Sequence, residues 1–455
     1  MVDRYFRLSI FDIKIVALLL TIALMPLLLN STEAKSFGHY ILLLQLLVVC
    51  FGVIKRGYWI YVMSPAILAI LYISISTVIG AIAFKENLIV GRLSYHQYKN
   101  WEYVPYSLTF LMLCNFFAFI VDLFYRNRVQ EFFNSFSLNV KVNFNYVIYT
   151  SLILLSLSIF TDYIIVGFSI IPKTLAALCL VYYLAANKIK YRFVIYLFII
   201  AFLSLSAVES KREAIFLIFP IIFLESLYSR FIINAKNVFI ALIGFSVILS
   251  LIIIMSIARG YGNFENSDSF LTAAPYFFQY INSPIFLSSL FNNIEATSVY
   301  YNALQSMEYV FSDPSLMSFG STIGKVIFIF IPREVWEAKP SSIIDLYTNY
   351  HDPGYRAIGG SDPINIYAEF FWNFHFFGLV AVFIFFVLMY KLYFYSIKNI
   401  IEGKELNILW LLFVYMNFIT YVRGSGLDMY VVFISFAIFY NYTAYYIYKL
   451  IARIK

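Results

Sequence analysis

Long apolar runs separated by short polar punctuation fill most of the chain, and the runs span 15 to 26 residues. Backbone amides in lipid must be satisfied within their own segment, so runs of this length predict α-helices. Strands of a membrane barrel would be about ten residues long and alternating. The expected spans are 13–30, 39–54, 59–84, 104–125, 144–166, 170–187, 193–208, 213–228, 238–258, 376–397, 406–421 and 428–448, twelve in all, give or take two. Between the ninth and tenth spans lies a polar interval of 117 residues, 259–375. It reads as a large, partly helical loop outside the membrane, with 284–291 and 324–331 apolar enough to rest on the bilayer as a lid. The expected fold class is an all-α polytopic membrane protein. Its parts are an N-terminal bundle over 1–258, the loop over 259–375 and three C-terminal helices over 376–455.

Composition agrees, with 62% hydrophobic and 13% charged residues, a balance that excludes an ordinary soluble domain. No small-residue cleavage site follows the first run, which reads as a retained anchor with the N-terminus in the cytosol. With that orientation, 19 Lys and Arg residues fall on the cytoplasmic side and eight in the short outer loops. This asymmetry supports both termini inside, and it makes the net charge of +7 an insertion signal rather than a nucleic-acid footprint. The large loop reverses the balance, with five cations, Arg259, Lys325, Arg333, Lys339 and Arg356, against eleven carboxylates. Cations in the minority are expected to have assigned tasks. Cys50, Cys114 and Cys179 sit inside apolar runs and form neither a disulfide nor a metal framework.

The sequence has no GxxxxGK[ST] loop, no GxGxxG, no HExxH and no Cys/His cluster at metal spacing, so nucleotide hydrolysis and zinc chemistry lack their parts. The first outer loop, "STEAKSFG", holds Glu33 alone, which argues against a metal-dependent sugar transferase of the GT-C type. What remains is a set of cations at outer helix ends: Lys211 and Arg212 in "ESKREAIF", Arg259 in "ARGYGNF" and Arg423 in "YVRGSGLDMY". They are expected to face one outer vestibule. One reading makes them snorkelling residues. The other makes them phosphate ligands, because a planar guanidinium offers a fork of donors matched to a phosphate. One such pair at about 4 Å is worth roughly 4 kcal/mol near a surface, before desolvation.

The segment "FIPREVWEAKP", Phe330–Pro340, resembles the iPRxxWxxKP signature of bacterial O-antigen polymerases, the Wzy-type oligosaccharide repeat unit polymerases. "GGSDPINIYAEFFWNFHFFGLV", Gly359–Val380, is similar to that family's approach to the tenth helix, with Glu369, Asn373, Phe374 and Gly378 at matching positions and His375 where Gly is usual. "SKREAIF" and "YVRGSG" also resemble family positions, so the likeness runs from Ser210 to Gly426. The first half of the chain contributes only hydropathy and topology.

The resemblance implies a metal-independent glycosyltransferase of the bacterial inner membrane that needs no cofactor. Such an enzyme moves a growing glycan from one undecaprenyl diphosphate carrier to the non-reducing end of another lipid-linked repeat unit, on the periplasmic side. Its partners are the lipid-linked oligosaccharide and the bilayer, with room for a chain-length regulator. On this reading Arg212, Arg259 and Arg423 face the diphosphates, and Lys211, Arg333, Lys339, Arg356 and His351 bind substrate or position the loop. The acceptor hydroxyl needs a base, for which Asp362 is the candidate; the competing reading makes "GSDP" a turn in which Asp362 caps the next segment. Two alternatives stay open. One is an O-antigen ligase, whose family carries a histidine just ahead of the tenth-helix motif. The other is a polysaccharide flippase, against which the absence of detectable repeats counts.

Overall fold

The computed structural model describes residues 9–89, 92–93, 101–135, 141–164, 168–206, 216–229, 232–258, 260, 264 and 269–454. Helices of eight residues or more are labelled here in chain order. The first nine are α1 (Ile10–Leu24), α2 (Ser31–Ile54), α3 (Pro65–Lys85), α4 (Val104–Ser135), α5 (Phe144–Ile164), α6 (Ile170–Ala186), α7 (Arg192–Ser206), α8 (Ile218–Ser229) and α9 (Ala235–Ile257). Then come α10 (Phe286–Asn293), α11 (Ala296–Ser312), α12 (Ile343–His351), α13 (Ile366–Phe374), α14 (Gly378–Ile401), α15 (Glu405–Arg423) and α16 (Leu427–Ile454). The protein is an all-α polytopic membrane protein. Among the described residues, nine helical stretches are long and apolar enough to cross a membrane, and Ile170–Ala186, Arg192–Leu203 and Ile218–Ser229 are shorter apolar helices. Each of the twelve expected spans overlaps one of these.

Helix starts follow local chemistry. Ser9 and Asp12 form a capping box on α1, and Asn30 and Glu33 form one on α2. Ser64 caps α3 ahead of Pro65, whose missing N–H costs nothing in a first turn. The chain then alternates between two ends of the bundle. One end, here the loop side, carries the residues between α9 and α13 together with the α3–α4 connection that holds Arg92; the other, here called the hairpin side, carries the α2–α3 connection.

Helices α3, α4 and α15 form the buried centre, whereas α1 and α9 present most of their surface outward. An outward apolar surface is what lipid requires. Polar side chains inside the bundle find one another: Asn115 donates to Gln45 at 3.1 Å and to Ser74 at 3.0 Å. On the hairpin side, Arg56 binds Asp122 at 2.5 Å, Arg126 binds both carboxylate oxygens of Asp12 at 2.5 and 2.9 Å, and Arg192 binds Glu225 at 2.5 Å. Cations that the sequence offers as loop charges are thus tied to buried acids, which limits the desolvation cost of each.

Two features fix the loop side. Helix α11 lies directly on α3 at Gly80, where a Cβ would stand 2.4 Å from Tyr300 Cβ and 2.5 Å from the Ala296 carbonyl oxygen. Only glycine admits that approach. The stretch Ile366–Ile401 begins ten residues before the expected span, and it breaks at His375, which adopts φ 52°. His375 stands where the resemblance expects Gly, the residue that takes positive φ at least cost. The break lets α13 and α14 change direction while both stay packed on the bundle.

Candidate functional site

The polar cluster of the loop side is built by the return from α12 to α13. Ser342 caps α12 by accepting from Asp345 N at 3.0 Å. His351 ends the helix, and Asp352 then caps the short turn Pro353–Ala357 by accepting from Tyr355 N at 2.9 Å. The Gly359–Gly360 bend brings Asp362 back over α12, where its backbone N–H donates to Thr348 Oγ1 at 2.9 Å. Asn302 of α11 donates to the Pro363 carbonyl at 2.9 Å and accepts from Tyr347 Oη at 3.2 Å, locking this return to the bundle. Asn365, not Asp362, caps α13.

Arg92 joins this return from a different loop. Its guanidinium binds Asp352 Oδ2 at 2.7 Å, forms an ion pair with the buried Asp362, and lies 3.7 Å over the Tyr355 ring. Burial disfavours the Arg92 charge, but hydrogen bonds to Asp352 and Asp362 outweigh it, so the group is held above its usual range. Asp352 is held below the ordinary carboxylate range, first by the Tyr355 N–H and then by Arg92. Beside this pair His351 stacks on Tyr347, with centroids 5.4 Å apart and rings 7° from parallel, and its Nδ1 shares a 2.9 Å hydrogen bond with Tyr309 Oη. Burial pushes the Tyr309 hydroxyl up to about 12 and raises Tyr301 and Tyr347 further, so these phenols remain donors at neutral pH.

The segment Phe328–Lys339 forms a second cluster; it leaves a short 3-10 turn at Phe328 and is not helical beyond it. Pro332 O accepts from Val335 N and Trp336 N, both at 3.2 Å, and Trp336 packs edge-on against Phe328 at 5.0 Å. Lys339 Nζ donates to the carbonyls of Ile329 and Ile331, each at 2.8 Å, closing the turn. Lys325 binds Asp428, in the first turn of α16, at 2.6 Å. Burial, followed by repulsion from Lys325 and Arg333, holds Lys339 below the usual lysine range. Arg333 is exposed.

Arg423 is the last residue of α15. It is 6% exposed and forms an ion pair with Glu295, which precedes α11 at φ 58°. Gly424 follows at φ 130°, where a Cβ would stand 2.4 Å from the Ile364 carbonyl oxygen, so the turn after α15 is pressed against the segment that carries Asp362. Glu369 is buried below it, accepting from Leu427 N at 3.4 Å.

Of the residues singled out from sequence, Asp362 and His351 come together at the end of α12, Asp362 on Thr348 and His351 on Tyr347. Arg356 is at the edge of that cluster, paired with Asp345 and donating to the Gly360 carbonyl at 3.3 Å. Arg333 and Lys339 share the second cluster, and Arg423 sits apart on Glu295. Lys211, Arg212 and Arg259 lie outside the described residues. Sequence reasoning overlooked Arg92, Asp352 and the tyrosines Tyr301, Tyr309 and Tyr347 as site residues, and named Lys325 only among the minority cations of the loop. For Arg92 the signal was present: it is a cation in a loop that the positive-inside rule expects to be poor in cations.

Chemically, the arrangement offers exposed and paired cations near apolar surface, together with a buried carboxylate, an imidazole and high-lying phenols. No family model, curated protein or solved structure matches the chain.

Proposed function

We propose that the protein is an O-antigen polymerase of the bacterial inner membrane, with the loop side periplasmic and both termini cytoplasmic. It would transfer a growing glycan from one undecaprenyl diphosphate carrier to the non-reducing end of another lipid-linked repeat unit. The observation that carries this reading is that the segment resembling the polymerase signature presents Arg333 outward beside Lys325 and Lys339, at the loop-side end of a membrane bundle. A diphosphate leaving group needs cations that strengthen their hold as charge develops. The acceptor hydroxyl needs a proton acceptor, and the Asp362–His351 cluster holds the candidates; Asp362 can act only when Arg92 withdraws from it.

One observation favours the ligase as a second reading. His351, eleven residues before Asp362, packs in the same cluster by stacking on Tyr347, whose neighbour Thr348 accepts from Asp362 N. Purified protein incubated with a lipid-linked repeat unit and no other donor separates the two. Polymer supports the polymerase. No polymer, with glycan appearing on added lipid A-core, sinks the polymerase in favour of the ligase.

A further inference from the structure

We infer that the Phe328–Lys339 turn is a lipid-phosphate site in which Arg333 is the contacting group and Lys339, although cationic, is a positioning residue. The inference deepens the polymerase reading and rests on it only for the identity of the lipid. Three observations lead there.

The first is how the cations spend their donors. An ammonium has three N–H groups, and Lys339 directs two of them at the carbonyls of Ile329 and Ile331. Lys325 is committed to Asp428 at 2.6 Å. Arg333, by contrast, is exposed and forms no ion pair among the described residues. Its donors remain available beside the turn that Lys339 closes.

The second is the rigidity of that turn. Two carbonyls on one ammonium, two amides on the Pro332 carbonyl and the Trp336–Phe328 contact fix the backbone on both sides of Arg333. Among the signature-like positions, Pro332, Trp336 and Lys339 have partners within the turn, and Arg333 is the cation left to meet a ligand, with Glu334 and Glu337 exposed in the same segment. A fork held in place loses less entropy on binding a phosphate than a free one.

The third is the surface around the guanidinium. Ile327 is 79% exposed, Phe330 68% and Val335 76%. Exposed apolar side chains flanking an arginine, on a chain of membrane-spanning helices, match a ligand with a phosphate head and a hydrocarbon tail. A free anion would gain nothing from those shoulders. Two sources share this chemistry, an isoprenoid diphosphate and a bilayer phospholipid headgroup.

The test is a double-mutant cycle on detergent-purified full-length protein, with farnesyl diphosphate as probe and affinity read by calorimetry. Arg333→Gln should weaken binding about ten- to a hundredfold, the span of a charge-assisted contact. Lys339→Met should weaken it comparably alone, yet add nothing in the Arg333→Gln background, because it acts through Arg333. Lys339→Gln, which can still donate to the carbonyls, should recover part of the loss and serves also if Lys339→Met does not purify folded. Additive losses would overturn the positioning role. Unchanged affinity in Arg333→Gln, or no binding to the wild type, would overturn the site. Inorganic pyrophosphate binding as tightly as farnesyl diphosphate would overturn the lipid component. Displacement of the probe by phosphatidylglycerol nanodiscs supports the site with a bilayer headgroup as occupant, and its absence supports it with the isoprenoid diphosphate. Probe binding without polymer formation would remove the polymerase reading and leave the site standing.

Discussion

Replacing Arg92 with methionine keeps an unbranched apolar stem and removes the cation that Asp352 and Asp362 share. The two carboxylates are not equal losers. The Asp352 side chain is 30% exposed, so water and salt replace most of what Arg92 supplied there. The Asp362 side chain is 6% exposed, and stripping the partner from a buried ion costs about 3–5 kcal/mol. The guanidinium stacked 3.7 Å over Tyr355 adds about 0.5–1 kcal/mol. Asp362 therefore dominates, and a loss of about 3 kcal/mol is expected, equivalent to a roughly hundredfold increase in local opening. Because Asp362 N–H donates to Thr348, hydrogen exchange at that amide reads the opening where it occurs. Adding Asp362→Asn, which leaves no charge to bury, should restore most of the protection. The reasoning is refuted if Arg92→Met leaves the Asp362 amide as protected as in the wild type, or if the double variant opens more than the single one.

Three further outcomes follow from the same structure. Gly80→Ala should lower stability by about 1–3 kcal/mol through overpacking against Tyr300 and the Ala296 carbonyl, whereas Gly244→Ala, with no neighbour within 4 Å of its Cβ, should leave the unfolding midpoint unchanged. Burial raises Glu308 above the usual carboxylate range, although the N–H groups of Glu102 and Tyr103 oppose it. The folded state thus holds its proton more tightly than the unfolded chain, and stability should fall as pH rises from about 4.5 through the raised value; Glu308→Gln should flatten that slope in pH-dependent unfolding. On the polymerase reading, alanine at Arg212, Arg259 or Arg423 should abolish long glycan chains with the protein still inserted, so unchanged chain-length ladders for all three would remove their assignment.

Hydropathy made the bundle legible because each apolar run is long and each interruption polar, and the helices of the structure overlap those runs. It could not show the break at His375, since the residues on both sides are apolar and the signal there is a backbone angle. Helix α11 was equally hidden. Its mixture of Tyr, Ala, Asn and Gln reads as loop composition, but one face meets Gly80, Phe84 and Trp101. At the candidate site, residue types were readable and partnerships were not. The sequence leaves Lys339 open between binding substrate and positioning the loop, because it shows the charge and does not show that its partners are main-chain carbonyls. Arg92 went unnoticed because its carboxylates lie some 260 and 270 positions away.

The seat of α11 on Gly80 bears on how such chains are shuffled. A loop merely hung between two spans would be an interchangeable cassette. Here the cassette has a key cut into a membrane helix: the Ala296–Tyr300 edge fits a notch one atom deep in α3. Chimaeras that exchange the loop should carry α3 from the same parent, and those that do not will inherit a lock without its key.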